Sequence, residues 1–291
     1  MSSEPVAPAT DRACGGPRDV LEWAGGAEVV RPLAGGTHAQ TVLLRVGERE
    51  VVLRRFPVGD AAARREAVVL RGLAGLGGRA PELVAVDEDG SATGAPSVLI
   101  SRLPGRAELD PVDPLVAAAQ LGRALALVHG VTGAWVGGLR DGFTAARAEG
   151  SGPAAGEVAA GVGRLAGQPQ VLTHFDFWTG NALWQDGELT GVVDWSGAAR
   201  APRGLDVSWC RLDLALLHGP AAAESFLAAY QEAAGAAVAE LRLWDLFALT
   251  NSHRSVETWV PNYRDLGRAD LTAAELRTRH TAWGERRLAG A

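Results

Sequence analysis

Apolar residues in the first third of the chain come in short runs broken by glycine and by polar turns. The stretch "AEVVRPLAGGTHAQTVLLRVGEREVVLRRF" carries three such runs, separated by Gly35-Gly36 and by the polar "VGERE". That spacing predicts three short strands joined by two tight connections. In "GDAAARREAVVLRGLAGL" the period changes, and Glu66, Val69, Leu70 and Leu73 share one face of a helix. "PELVAVDEDGSATGAPSVLISRLPG" then offers two further strands around a Gly-, Ser- and Thr-rich turn. The pattern to this point is a five-stranded sheet with one helix.

From residue 111 onward the period is helical. "DPVDPLVAAAQLGRALALVHGV" opens with Asp and Pro start signals. Residues 148–170 are rich in Gly and Ala and predict a loop with one short helix. "NALWQDGELTGVVDW" predicts a β-hairpin turning at Asp-Gly, and residues 205–289 predict several helices. Residues 1–20 read as a flexible tail, residues 21–103 as the sheet lobe and residues 104–291 as the helical lobe, with the junction near "SRLPG". The expected fold class is α+β.

Composition narrows the function classes. At 291 residues, with 47% hydrophobic and 21% charged residues, the chain is that of an ordinary soluble protein. Its formal net charge of −6 opposes a nucleic-acid partner, which calls for a basic face. No apolar run approaches the roughly 18 residues of a membrane span, and the N-terminus lacks the pattern of a secretion signal. Two cysteines, Cys14 and Cys210, make no disulfide framework, and a cytoplasmic location is expected. There is no lysine, so all 28 basic side chains are arginine.

The chemistry concentrates in "VLTHFDFWTGNALWQDGELTGVVDW". His174, Asp176, Asn181 and Asp194 stand here among large apolar residues, and buried carboxylates need a partner or a cation. Asn181 and Asp194 offer the hard oxygens that Mg²⁺ takes alongside substrate phosphates. Asp176 is placed to accept a proton from a substrate hydroxyl, as in the phosphoryl-transfer template.

"HFDFWTGN" followed by "VVDW" resembles the His-x-Asp-x4-Asn and Asp-aromatic motifs of the aminoglycoside phosphotransferase and choline kinase family. The resemblance implies a bilobal protein-kinase-like fold and transfer of the γ-phosphoryl group of ATP or GTP to a small-molecule hydroxyl. It implies Asp176 as catalytic base, His174 as a brace of the catalytic loop, and Asn181 and Asp194 as Mg²⁺ ligands. Gly35, Gly36 and Thr37 fall where backbone N–H groups approach phosphates. Arg54 stands where the family usually has a phosphate-binding lysine, with Glu66 as its partner. Asp206 matches the Asp that bonds the catalytic-loop backbone, and Ser101 and Leu103 fall in the purine-binding hinge.

The acceptor is less defined. Residues 205–291 hold eleven Asp and Glu against nine Arg, which favours a neutral or mixed acceptor over a polycation. Trp259 and Tyr263 suit a pocket for a sugar or a cyclic natural product, and Trp178 lies two residues beyond the expected base. An antibiotic, a natural product or a metabolite would all meet these terms, for a monomer or homodimer with no membrane or nucleic-acid partner. Arginine at position 54 also admits a catalytically impaired nucleotide-binding module on a kinase scaffold.

Overall fold

A computed structural model describes residues 17–33, 38–146 and 150–290. Helix α1 (Pro17–Trp23) precedes strands β1 (Glu28–Pro32), β2 (Gln40–Val46) and β3 (Arg49–Arg55). Helix α2 (Ala62–Leu73) follows, then β4 (Leu83–Asp87) and β5 (Ser97–Ser101). The five strands form one antiparallel sheet in the order β1-β2-β3-β5-β4. Of the tail expected over residues 1–20, residues 1–16 lie outside the described residues, and the last four belong to a helix. Helix α1 starts at Pro17, and its Val20 is buried against Leu44, Val51, Leu53 and Leu99 of the sheet.

Strand alternation in β3 sorts its two arginines. Arg54 turns to the face that meets α2, whereas Arg55 reaches the opposite side and donates to the Thr93 carbonyl at 3.0 Å. On α2 the face read from the sequence is the buried one: Glu66, Val69, Leu70 and Leu73 all point inward.

The remainder is mainly helical. Helix α3 (Pro114–His129) is capped by Asp113, whose carboxylate accepts from the Leu115 and Val116 N–H groups. Short helices α4 (Ala134–Gly137) and α5 (Gly142–Ala146) lead to α6 (Ala155–Ala166). Strand β6 (Gln170–Thr173) pairs with β9 (Ala199–Pro202), and between them β7 (Ala182–Gln185) and β8 (Glu188–Val192) form the expected hairpin. Its turn residues Asp186 (φ 53°) and Gly187 (φ 81°) both take the left-handed backbone a two-residue turn needs.

Helices α7 (Gly204–His218), α8 (Pro220–Ala234), α9 (Leu241–Ser252), α10 (Val260–Asp265) and α11 (Ala273–Leu288) complete the fold. A Cβ at Gly122 of α3 would lie 2.3 Å from the Phe226 carbonyl of α8, so only glycine permits this helix crossing. Helix α7 is buried along almost its whole length, which makes it a fixed platform beneath the β6–β9 region. No helix among the described residues is long and apolar enough to cross a membrane.

Candidate active site

The loop that leaves β6 is held by one carboxylate of α7. Asp206, 1% exposed, accepts from the backbone N–H of His174 at 2.7 Å and of Phe175 at 3.0 Å. These bonds fix a turn in which Phe175 has φ 72°, a conformation an unheld side-chain-bearing residue rarely keeps. His129 adds a contact to Asp206 at 3.3 Å and is bonded to the Tyr230 hydroxyl at 2.7 Å. The His174 ring is buried against Trp195, 4.6 Å between centroids, and its Nε2 donates to the Val193 carbonyl at 3.0 Å. His174 therefore ties the loop to the segment leading into Asp194 and does not face the cavity.

Asp176 does face it. The side chain is open to the recess yet surrounded by protein, and this desolvation raises its pKa above the ordinary carboxylate range, against the pull of His174. The Asn181 amide N–H₂ donates to the Asp176 carbonyl and to its Oδ2, both at 2.9 Å. Asn181 thus spends its donors on the loop, and its carbonyl oxygen takes no bond among the described residues.

Asp194 lies across the recess in left-handed backbone, φ 66°. Its Oδ1 accepts from Arg54 at 2.6 Å and from the Ser196 hydroxyl at 2.7 Å. Burial alone would raise its pKa; Arg54 and Ser196 outweigh it and hold the carboxyl below its ordinary value. Arg54 also donates to Glu66 Oε1 at 2.6 Å, so one guanidinium spans two carboxylates. Burial pushes Glu66 up to about 7, while Glu66 and Asp194 keep Arg54 charged by more than burial disfavours it.

The donor set fits a magnesium ion. Asp194 Oδ2 and Asn181 Oδ1 are oxygens without a partner among the described residues, on residues that line one cavity. No group of three or more His, Cys, Asp or Glu side chains gathers for a metal among those residues. Magnesium needs fewer, since it is commonly held by one or two protein oxygens and completed by substrate phosphates and water.

The cavity measures about 650 Å³ and brings together most of the expected acceptor side. Asp176, Asn181 and Asp194 line it together with Trp178, Trp259 and Tyr263. Sequence reasoning missed Trp209, Asp213, Asp265 and His38, which line it as well. The charge balance of residues 205–291 does not extend to this surface. Among the described residues, Asp176, Asp194, Asp213 and Asp265 line the cavity, and no arginine does. The arginines pair elsewhere: Arg211 with Asp245 and Glu224, Arg242 with Glu157, Arg268 with Asp270 and Arg277 with Glu257. The expectation of a neutral or mixed acceptor rested on that overall balance and not on this surface.

Two other expectations meet different outcomes. Gly35, Gly36 and Thr37 lie outside the described residues. Ser101 donates its N–H to the Glu82 carbonyl, and its hydroxyl accepts from the Glu82 N–H, both at 2.9 Å. Its N–H is therefore committed to Glu82. Leu103 packs over Gly191 of β8, where a Cβ would lie 2.4 Å from its methyl group.

Over residues 29–244 the sequence matches the phosphotransferase enzyme family, APH. The chain belongs to this family. Membership makes it a small-molecule O-phosphotransferase by class. The fold of the family's solved structures is shared at low identity. A candidate aminoglycoside phosphotransferase of Ralstonia eutropha JMP134 is 16% identical with a TM-score of 0.65, covering 94% of this chain and 97% of that one. Macrolide 2'-phosphotransferase MphH of Brachybacterium faecium is 21% identical with a TM-score of 0.58, covering 92% and 98%. A thermostable variant of aminoglycoside phosphotransferase APH(4)-Ia, solved with AMP-PNP and hygromycin B, is 18% identical with a TM-score of 0.61, covering 94% and 99%. The sequence matches none of the curated proteins. At these identities the likeness establishes the phosphotransferase, protein-kinase-like fold.

Proposed function

We propose that the protein transfers the γ-phosphoryl group of ATP or GTP, with Mg²⁺, to a hydroxyl of a small molecule. The observation that carries the reading is the meeting of Asp176, Asn181 and Asp194 in the lining of one cavity, each with a side-chain oxygen unbonded among the described residues and Arg54 bonded to Asp194. Asp176 is the group that accepts the hydroxyl proton, and its raised pKa moves its basicity toward neutral pH. Asn181 and Asp194 are the residues that would hold the ion, which when bound neutralises phosphate charge. Arg54 supplies a permanent positive charge to the phosphate side, and His174 keeps the loop in register with Asp194.

Loop geometry and charge placement would supply most of the rate, as phosphoryl transfer requires. Four carboxylates beside Trp178, Trp209, Trp259 and Tyr263 favour an acceptor that carries at least one ammonium group on a ring body. The related phosphotransferase that binds AMP-PNP and hygromycin B is consistent with a nucleotide and a hydroxyl-bearing molecule sharing such a site. Incubation with Mg-ATP or Mg-GTP and a library of antibiotics and metabolites, followed by mass spectrometry, tests the reading. A product heavier by one phosphate is expected. A library in which no hydroxyl compound is phosphorylated, while Mg-nucleotide still raises the melting temperature, favours the alternative of a nucleotide-binding module. The Arg54–Asp194 contact is the feature that keeps that alternative in view.

A further inference from the structure

Helix α7 carries two buried carboxylates seven residues apart on one face, and both reach the catalytic loop. Asp206 takes the N–H groups of His174 and Phe175, just before Asp176. Asp213 takes the Thr179 hydroxyl at 3.3 Å, just after it. The loop is gripped on both sides of Asp176. Asp213 also has a second donor, the Tyr263 hydroxyl at 2.7 Å. Tyr263 belongs to α10, its ring meets Trp178 edge-on at 5.8 Å, and both rings line the cavity.

We propose that Asp213 is a positioning residue that couples the acceptor wall to the phosphoryl-transfer loop, so that a molecule seated against Tyr263 and Trp178 sets the placement of Asp176. The coupling rests on the assignment of Asp176 as base. Burial and the charge of Asp213 hold the Tyr263 phenol protonated, so it remains a donor. Two hydroxyl donors converge on one carboxylate away from solvent, and a shift of either leaves a buried charge under-bonded. Bonds in such a network depend on one another more than separate surface bonds do. Tyr263, Asp213 and Thr179 therefore form a short continuous path that ends three residues from Asp176.

Tyr263→Phe and Thr179→Val each remove one hydroxyl and little volume, and Thr179→Ser retains it. Two measurements on the full chain decide the matter. The first is hydrogen–deuterium exchange of the amides in residues 174–181 without ligand. The second is hydrolysis of Mg-ATP and Mg-GTP with water as acceptor. Tyr263→Phe and Thr179→Val are each expected to speed loop exchange and to lower hydrolytic kcat about tenfold, roughly the rate equivalent of one hydrogen bond, with nucleotide KM within about twofold. The double variant should fall no further than either single one, because both cut the same path. Thr179→Ser should behave as the unmodified protein. Unchanged exchange in Tyr263→Phe, or additive losses in the double variant, overturns the coupling. Should the unmodified protein hydrolyse neither nucleotide, the kinase reading loses its support while the exchange measurement still decides the coupling.

Discussion

Arg54 places its NH2 group 2.6 Å from Asp194 Oδ1 while its NH1 group lies 2.6 Å from Glu66. A chain without lysine thus neutralises its would-be metal ligand with a guanidinium fork, one arm on each carboxylate. Arg54→Ala would strand Glu66, which is fully buried, and Asp194. A loss of about 3–5 kcal/mol is expected from breaking such a pair, together with a higher nucleotide KM or a lower kcat. Arg54→Lys separates stability from competition. With Asp194 partly released, the Mg²⁺ concentration that half-saturates an ADP-dependent thermal shift should fall about tenfold, the equivalent of one charge-assisted bond. An unchanged magnesium midpoint would show that Arg54 does not compete for Asp194.

Asp176 and Asp194 should fail in different ways. Asp176→Asn keeps the shape that Asn181 bonds but cannot accept the hydroxyl proton, so turnover should drop by about 10²–10⁴. Mg-nucleotide binding, followed by calorimetry, should be spared. Asp194→Asn should instead weaken metal-dependent binding. Full phosphoryl transfer by the Asp176 variant would remove the base from its assigned position.

Much of this site could be read from the sequence because its parts are local. His174, Asp176 and Asn181 fall within one loop, and the hairpin that carries the chain to Asp194 announces its turn at Asp186-Gly187. Arg54 and Glu66 could be paired because strand alternation and helix period fix their faces independently. Asp213 could not be found this way. Its donors lie 34 residues before it and 50 after it, and no period in α10 says that Tyr263 folds back over the catalytic loop. The acidic cavity was hidden for a similar reason. A count over residues 205–291 sees nine arginines, but cannot see that Arg211, Arg242, Arg268 and Arg277 are held in ion pairs away from the cavity.

Gly180 sets where Trp178 lies. A Cβ at position 180 would fall 2.3 Å from the indole ring, far inside contact distance. The ring is rigid, so Gly180→Ala must displace it from the cavity wall or shift the loop. Once an acceptor is identified, its KM should rise severalfold in this variant. The nucleotide KM should stay near that of the unmodified protein if, as proposed, Trp178 serves the acceptor side of the cavity. An acceptor KM that does not move would place the acceptor away from Trp178.

Asp213 makes a pH-dependent contribution to stability whose sign is opposite to that of most paired carboxylates. Burial pushes its pKa up to about 6, with the Asp176 charge adding to it, despite the Tyr263 and Thr179 hydrogen bonds that favour the ionised form. The folded state therefore holds this proton more tightly than the unfolded chain, whose aspartates titrate near 3.9. Between pH about 4 and about 6 the folded state binds more protons, so the contribution of Asp213 to stability falls as pH rises, and it levels off above that window. Two pH units correspond to roughly 3 kcal/mol. Asp213→Asn removes the titration and leaves a pH-independent offset. Denaturant unfolding of both proteins from pH 4 to pH 7 should give a stability difference that changes by about that amount in favour of the variant as pH rises. Parallel stability curves would mean that Asp213 titrates alike in the folded and unfolded chain, and that its burial among Tyr263 and Thr179 does not act on its charge.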